Sequence, residues 1–157
     1  AKQEVDKLVL YVGAAEAITA DDVRASLSGA IPADVFRLAE AVSTRNVKQA
    51  DRLIQILLEE GEDLNAAFSI TLADLGKLKA AQALRAEGKD DTAILQAGGK
   101  FKAPKPAQAA YLQAVKAYPP ARLANLPMYA LETLTHARSG VLEGNLVLAR
   151  ALLALAT

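Results

Sequence analysis

Apolar side chains recur three and four residues apart along most of the chain, the spacing that places them on one face of an α-helix. Val35, Leu38, Ala39 and Val42 form one such stripe, and a longer stripe begins at Leu64. The helices predicted from this spacing and from their caps span about residues 3–11, 19–29, 33–42, 47–58, 64–86, 91–97, 106–118, 121–138 and 146–156. Short connections between them predict neighbouring helices packed in a compact bundle.

Capping residues and helix breakers give the ends of these helices. Gly61 and Gly88 follow apolar stripes as expected of helix stops, and Asp63 is placed to cap the long third helix. Pro127 falls inside 121–138, where it is predicted to kink or split the helix. The residues predicted to face the core from helix 106–118 are Ala110, Tyr111, Ala114 and Val115. The apolar residues that mark helix 47–58 are Val47, Ala50, Leu53, Ile54, Leu57 and Leu58.

Composition strengthens the helical prediction. Of the 157 residues, 52% are hydrophobic and only 4% are aromatic, and alanine (34) and leucine (24) dominate the hydrophobic set. Both are strong helix formers, whereas strand-forming β-branched and aromatic residues are scarce. We therefore predict an all-α fold, a compact bundle of about six to eight helices preceded by two short helices. The absence of cysteine excludes thiol catalysis and cysteine metal sites, and no apolar run reaches membrane-spanning length.

A net charge of zero hides a charge asymmetry along the chain. Residues 1–94 hold 11 basic and 16 acidic side chains, whereas residues 95–157 hold 7 basic and 2 acidic ones. The basic residues of the stretch that lacks acidic ones, between Asp91 and Glu132, are Lys100, Lys102, Lys105, Lys116 and Arg122. Such a stretch fits an acidic partner, including nucleic acid, and equally fits a solvated loop and helix face.

One segment, residues 100–106, carries a specific candidate site. Phe101 is flanked by lysines on a loop stiffened by two prolines. An aromatic ring placed in this way can stack on an unpaired base while the ammonium groups contact phosphates. The candidate nucleic-acid-binding residues are Lys100, Phe101, Lys102 and Lys105. The alternative is that Phe101 packs under the loop as a core anchor.

The residue types needed for catalysis are mostly missing. His136 is the single histidine, and with Ser139 it lacks a carboxylate placed to complete a nucleophilic triad. Gly98-Gly99-Lys100 resembles the tail of a phosphate loop, but the upstream glycine, the following Ser/Thr and a preceding strand are absent. We expect no catalytic residues, no metal site and no cofactor.

The order of segments resembles the delta subunits of bacterial DNA polymerase III clamp loaders. The segments that carry the resemblance are EVDKL at 4–8, ITADDV at 18–23, VFRLAEA at 35–41, LLEEGED at 57–63, KFK at 100–102 and RALLALA at 150–156. The chain departs from the family in the long helix, where Asp74, Gly76, Lys77 and Lys79 stand in place of a basic stretch.

This resemblance implies an assembly role in DNA replication. Residues 1–29 would be the remnant of an AAA+ lid, and residues 30–157 would be the helical collar domain, which joins the collars of other clamp-loader subunits in a five-membered ring. The implied partners are those subunits and primer–template DNA, with the sliding clamp bound only through a missing N-terminal body. The expected location is the bacterial cytoplasm, near the nucleoid. No intrinsic enzymatic activity is expected, although the parent complex is a nucleotidyltransferase.

Because the chain starts at Ala1 inside a helical pattern, we expect it to be part of a longer protein. The alternative function is a stand-alone helical nucleic-acid-binding or adaptor domain that uses the basic segment 100–122.

Overall fold

The computed structural model describes residues 31–139 and 143–157, and every regular element in these ranges is an α-helix. The eight helices are α1 (Ala33–Ser43), α2 (Val47–Glu59), α3 (Leu64–Ala86), α4 (Asp91–Ala97), α5 (Lys105–Ala117), α6 (Pro120–Ala124), α7 (Leu126–Arg138) and α8 (Gly144–Ala156). The predicted all-α bundle of six to eight helices is confirmed. The two helices predicted at 3–11 and 19–29, and with them the lid segment 1–29, lie outside the described residues.

The long helix α3 is the centre of the bundle. It packs against α1, α4, α5, α6 and α8. Its seven consecutive fully or almost fully buried side chains are Ala67, Phe68, Ser69, Ile70, Thr71, Leu72 and Ala73. Seven residues in a row cover more than one full turn, so this part of α3 is enclosed on every side. A helix enclosed in this way has no solvent face and must be apolar around its circumference.

The start of α3 is fixed by side chains from two parts of the chain. Asp63 Oδ1 accepts a hydrogen bond from the backbone N–H of Asn65 at 2.9 Å, which is the predicted N-cap. Asn145, in the first turn of α8, accepts from the N–H of Leu64 at 3.0 Å and donates to the carbonyl of Glu62 at 3.1 Å. Because helix N-termini leave N–H groups unpaired, these bonds satisfy them and join α3 to α8.

The carboxyl ends of α5 and α8 are held together by a buried tyrosine. The hydroxyl of Tyr118 donates to the carbonyl of Leu155 at 2.8 Å, and the ring is almost completely buried. Gln82 of α3 donates in turn to the carbonyl of Tyr118 at 2.8 Å. The last carbonyls of a helix have no partner within it, so each of these bonds satisfies an otherwise unpaired acceptor.

Two arginines complete this contact between helix ends. Arg45, in the left-handed region at φ 59°, donates from Nε and Nη2 to the backbone oxygen of Thr157 at 3.0 and 2.6 Å. Arg122 donates from Nη1 to the carbonyl of Ala154 at 3.3 Å. Guanidinium groups at the carboxyl end of α8 also oppose the negative end of its dipole. Arg122 therefore lies against α8. It lies apart from Lys100, Lys102, Lys105 and Lys116, the lysines of the same basic stretch of the sequence.

Most predicted helix ends agree with the structure, and one core prediction is wrong. Pro127 splits the predicted helix 121–138, because α6 ends at Ala124 and Pro127 is the second residue of α7. Ala110 is exposed, because the buried face of α5 is formed by Tyr111, Ala114 and Val115. Val47 is also exposed, at the first position of α2, before that helix meets the core at Ala50. Within the described ranges, no helix has both the length and the hydrophobicity needed to cross a membrane.

Candidate functional site

The loop 98–104, between α4 and α5, carries three of the four predicted binding residues. Gly99 adopts φ +69°, a conformation that favours glycine, and this turns the chain out of α4. The backbone N–H groups of Gly98, Gly99 and Lys100 donate back to carbonyls of α4 at 2.8–3.1 Å. These N–H groups are therefore already paired, and the loop is not a phosphate cradle of the backbone type.

Phe101 lies on the outside of this loop. Its side chain is 49% exposed and does not belong to the hydrophobic core. Its carbonyl accepts a hydrogen bond of 2.7 Å from Gln108 Nε2, which fixes the loop against the first turns of α5. The alternative that Phe101 is a core anchor is therefore wrong, and the ring is available to a partner.

The four predicted residues divide into two groups. Phe101, Lys102 and Lys105 are exposed, and Lys105 Nζ lies 3.5 Å from Gln108 Oε1 on its own helix. Lys100 is partly buried and lines a cleft of about 510 Å³ between α1, α3, α5 and the loop 98–104. We call this space the cleft. The structure thus separates Lys100 from the exposed residues that follow it.

The cleft contains a carboxylate on the central helix. Asp74 follows the enclosed run of α3, and its Oδ1 lies 3.9 Å from Lys77 Nζ, too far for a hydrogen bond. Burial raises the pKa of the Asp74 carboxyl, and Glu40 adds to this, while Lys77 and Lys100 act in the opposite direction. Because the effect of burial is larger, the ionised carboxylate is less favourable in the folded chain than in the unfolded one.

The cleft also contains a tyrosine hydroxyl without a partner. Tyr111 of α5 is 9% exposed, and its Oη has no hydrogen-bond partner among the described residues. Burial, with a smaller contribution from the charge of Asp74, raises the pKa of Tyr111 to about 12. An unpaired buried hydroxyl destabilises a fold by about 1–3 kcal/mol, so this group has unused capacity to bind.

Gly98 allows Tyr111 to occupy this position. A methyl group at Gly98 would overlap with Cζ and Oη of the Tyr111 ring. The close approach of the α4 end to the ring therefore requires glycine at this position.

The sequence does not assign Asp74 and Tyr111 to one site. Tyr111 was predicted only as a core residue of α5, and Asp74 only as a departure from the delta-subunit pattern. The sequence signal that could have found Asp74 is a charged residue directly after a long apolar run in a central helix. Burial of a charged side chain is costly unless it is paired or hydrogen-bonded, so such a residue marks a candidate site.

The other residues considered for catalysis or metal binding do not form a site. Ser139 donates its hydroxyl hydrogen bond to the backbone carbonyl of His136 at 2.8 Å, so it is not activated by the imidazole. Residues 31–139 and 143–157 contain no cluster of three or more histidine or acidic side chains that could hold a metal ion.

Comparison of the chain with protein-family models, with curated proteins and with solved structures found no match. The site is therefore defined by its own geometry. Its two parts are an exposed basic and aromatic loop and a polar cleft with an unpaired hydroxyl.

Substitution of Gly98 tests the packing of the cleft. Gly98→Ala is expected to lower the free energy of unfolding by about 1–3 kcal/mol, because the new methyl group displaces the buried Tyr111 ring. Gly76→Ala is the matched control, since no described atom outside its own helix lies near that position. The control should stabilise the chain by about 0.5–1 kcal/mol, the usual helix preference for alanine. Chemical denaturation measures both, and an equal gain for the two variants would contradict the packing described here.

Substitution of Asp74 tests its electrostatic environment. The pKa of Asp74 in the folded chain lies above its ordinary value of 3.8. The free energy of unfolding therefore falls as the pH rises from below 3.8 through the pKa of the folded chain. Asp74→Asn should therefore be more stable than the parent chain at pH 7, with the difference disappearing towards pH 3. Thermal unfolding across this pH range measures the effect, with the exposed Asp51→Asn as control. A variant that is less stable than the parent at pH 7 would show that ionised Asp74 stabilises the fold.

Proposed function

We propose that the chain is a non-catalytic assembly module of a replicative clamp loader, equivalent to the C-terminal region of the delta subunit of bacterial DNA polymerase III. In this proposal residues 30–157 form the collar domain and bind the collar of a neighbouring subunit, in the bacterial cytoplasm. The resemblance of the six sequence segments supplies the identity of the partner. The all-helical bundle is compatible with a collar.

The observation that carries the assembly role is an apolar face on α7. Met128 and Leu131 are 60% and 53% exposed and lie one turn apart, while Ala130 and Leu134 of the same helix are buried. Side chains three residues apart on a helix are surface neighbours. Exposed large apolar side chains that cluster in this way are typical of the buried centre of a protein interface.

A second observation favours a contact with DNA. Phe101 is half exposed, with Lys102 on the same loop and Lys105 at the start of α5. We propose that these residues contact the template strand where it leaves the complex, the ring by stacking on a base and the ammonium groups by neutralising phosphates. The same residues would serve the alternative function, a stand-alone nucleic-acid-binding or adaptor domain.

A charge on the α7 face should disrupt assembly. Met128→Glu and Leu131→Glu are each expected to weaken binding to the C-terminal domain of the clamp-loader ATPase subunit about tenfold or more, because a carboxylate would be buried at the interface. Val47→Glu is the matched control, since Val47 is an exposed apolar residue on α2. Binding is measured by co-elution and by calorimetry. The assembly proposal fails if the parent chain forms no complex at micromolar concentrations.

Removal of the loop side chains should weaken the binding of DNA. Phe101→Ala in a reconstituted loader is expected to reduce primer–template affinity about fivefold to a hundredfold, the usual effect of losing one stacked base. Lys102→Ala should lower the salt dependence of binding by about one phosphate contact. Lys48→Ala, an exposed lysine on α2, is the control. Unchanged affinity together with an unchanged salt slope would rule out the DNA contact.

A further inference from the structure

The cleft has polar groups that its own residues do not satisfy. Tyr111 Oη is buried and has no partner in the described part of the chain, and Asp74 has only a distant cation at 3.9 Å. Both side chains line the same cleft, together with Lys77 and Lys100. A bound group that hydrogen-bonds to Asp74 and Tyr111 would provide the partners that the residues of the cleft do not supply.

The position of Lys77 limits the chemistry of that group. An ammonium ion placed against Asp74 would lie beside the ammonium of Lys77 and would be repelled by it. An uncharged N–H donor avoids this repulsion and still gives the carboxylate a hydrogen bond. The amino group of a nucleobase is such a donor, and a carboxylate accepts from the N4 amino group of cytosine in base recognition.

The rest of the cleft fits the other parts of a nucleotide. Lys77 and Lys100 place two cations near the carboxylate, where they can neutralise a phosphate. Phe36 contributes a partly buried aromatic ring to the lining, and aromatic rings pack against the faces of bases. Lys102 and Lys105 follow on the exposed side, so a strand bound there would lie beside further cations.

We propose that the cleft binds one nucleotide with an amino-bearing base, free or within a single strand, through Asp74, Tyr111 Oη, Lys77 and Lys100. The choice of a nucleotide as the ligand rests on the DNA contact proposed for the loop 98–104. The observation that Asp74 and Tyr111 lack hydrogen-bond partners does not depend on that proposal. The base edge is bound by Asp74 and Tyr111, and the phosphate is bound by the two lysines.

Cytidine and uridine monophosphates test the proposal because they differ in the group that Asp74 would bind. The full chain is titrated with each nucleotide and with inorganic phosphate, while NMR follows the amide signals of Gly98 and Gly99. Cytidine monophosphate should shift these signals and bind about fivefold more tightly than uridine monophosphate, the effect of one hydrogen bond. Equal binding of the two nucleotides, or binding of phosphate as tightly as either, would overturn the proposal.

Three variants separate recognition from folding. Tyr111→Phe should weaken cytidine monophosphate about fivefold without loss of stability, since the hydroxyl has no partner to lose. Tyr129→Phe is the matched control, because that hydroxyl already donates to the carbonyl of Ala151 at 3.2 Å. Asp74→Asn should shift the preference towards uridine monophosphate, because an amide can donate to the O4 atom. Unchanged affinity in Tyr111→Phe, or an unchanged preference in Asp74→Asn, would contradict the assignment.

A short oligo-dC strand distinguishes the two sources of the nucleotide. Binding of the strand at least tenfold tighter than the monophosphate assigns the cleft to single-stranded nucleic acid, whereas equal affinity assigns it to a free nucleotide. The monophosphate titrations use the isolated chain and involve neither α7 nor Phe101, so failure of the α7 interface or of the Phe101 contact would leave their result unchanged.

Discussion

The enclosure of α3 is the constraint on which the rest of the structure depends. A helix surrounded by five others needs apolar side chains on every side, and residues 68–73 meet this need with only two hydroxyl-bearing side chains among them. One of these, Thr71, donates to the carbonyl of Ala67 at 2.7 Å and is satisfied within its own helix. The neighbouring helices are then positioned by what they bury against α3, while α2 packs on α1 and α8, and α7 packs on α8.

The same constraint explains where polar chemistry occurs. Asp74 lies directly after the enclosed run, where α3 meets the cleft between α1 and α5. Burial there raises the pKa of Asp74, and the nearby hydroxyl of Tyr111 has no partner among the described residues. Tyr111 Oη is one of two buried side-chain atoms without a partner in the described ranges, the other being Ser69 Oγ, and it is the one that belongs to a residue lining the cleft.

Local sequence signals predicted the helices well and the site only in part. The apolar periodicity, the Asp63 cap and the helix-ending glycines are local signals, each contained in a few neighbouring residues. The bounds of α1 to α4 could therefore be predicted almost to the residue. The solvent face of α5 was misjudged at Ala110 because small apolar residues occur on both faces of helices. The approach of Gly98 to Tyr111, and the position of Arg122 against α8, depend on contacts between distant segments. No local pattern contains such information. For Phe101 the sequence left two alternatives open, and the structure selects the exposed position.

Hydrogen exchange of the chain, measured alone and with the C-terminal domain of the clamp-loader ATPase subunit, tests the central claim most directly. In the free chain the amides of residues 68–73 should exchange most slowly, because α3 opens only with the whole bundle. If this domain binds as proposed, its addition should increase protection in α7 around Met128 and Leu131, while α2 around Val47 stays unchanged. No added protection anywhere, or protection confined to α2, would contradict an assembly role through α7.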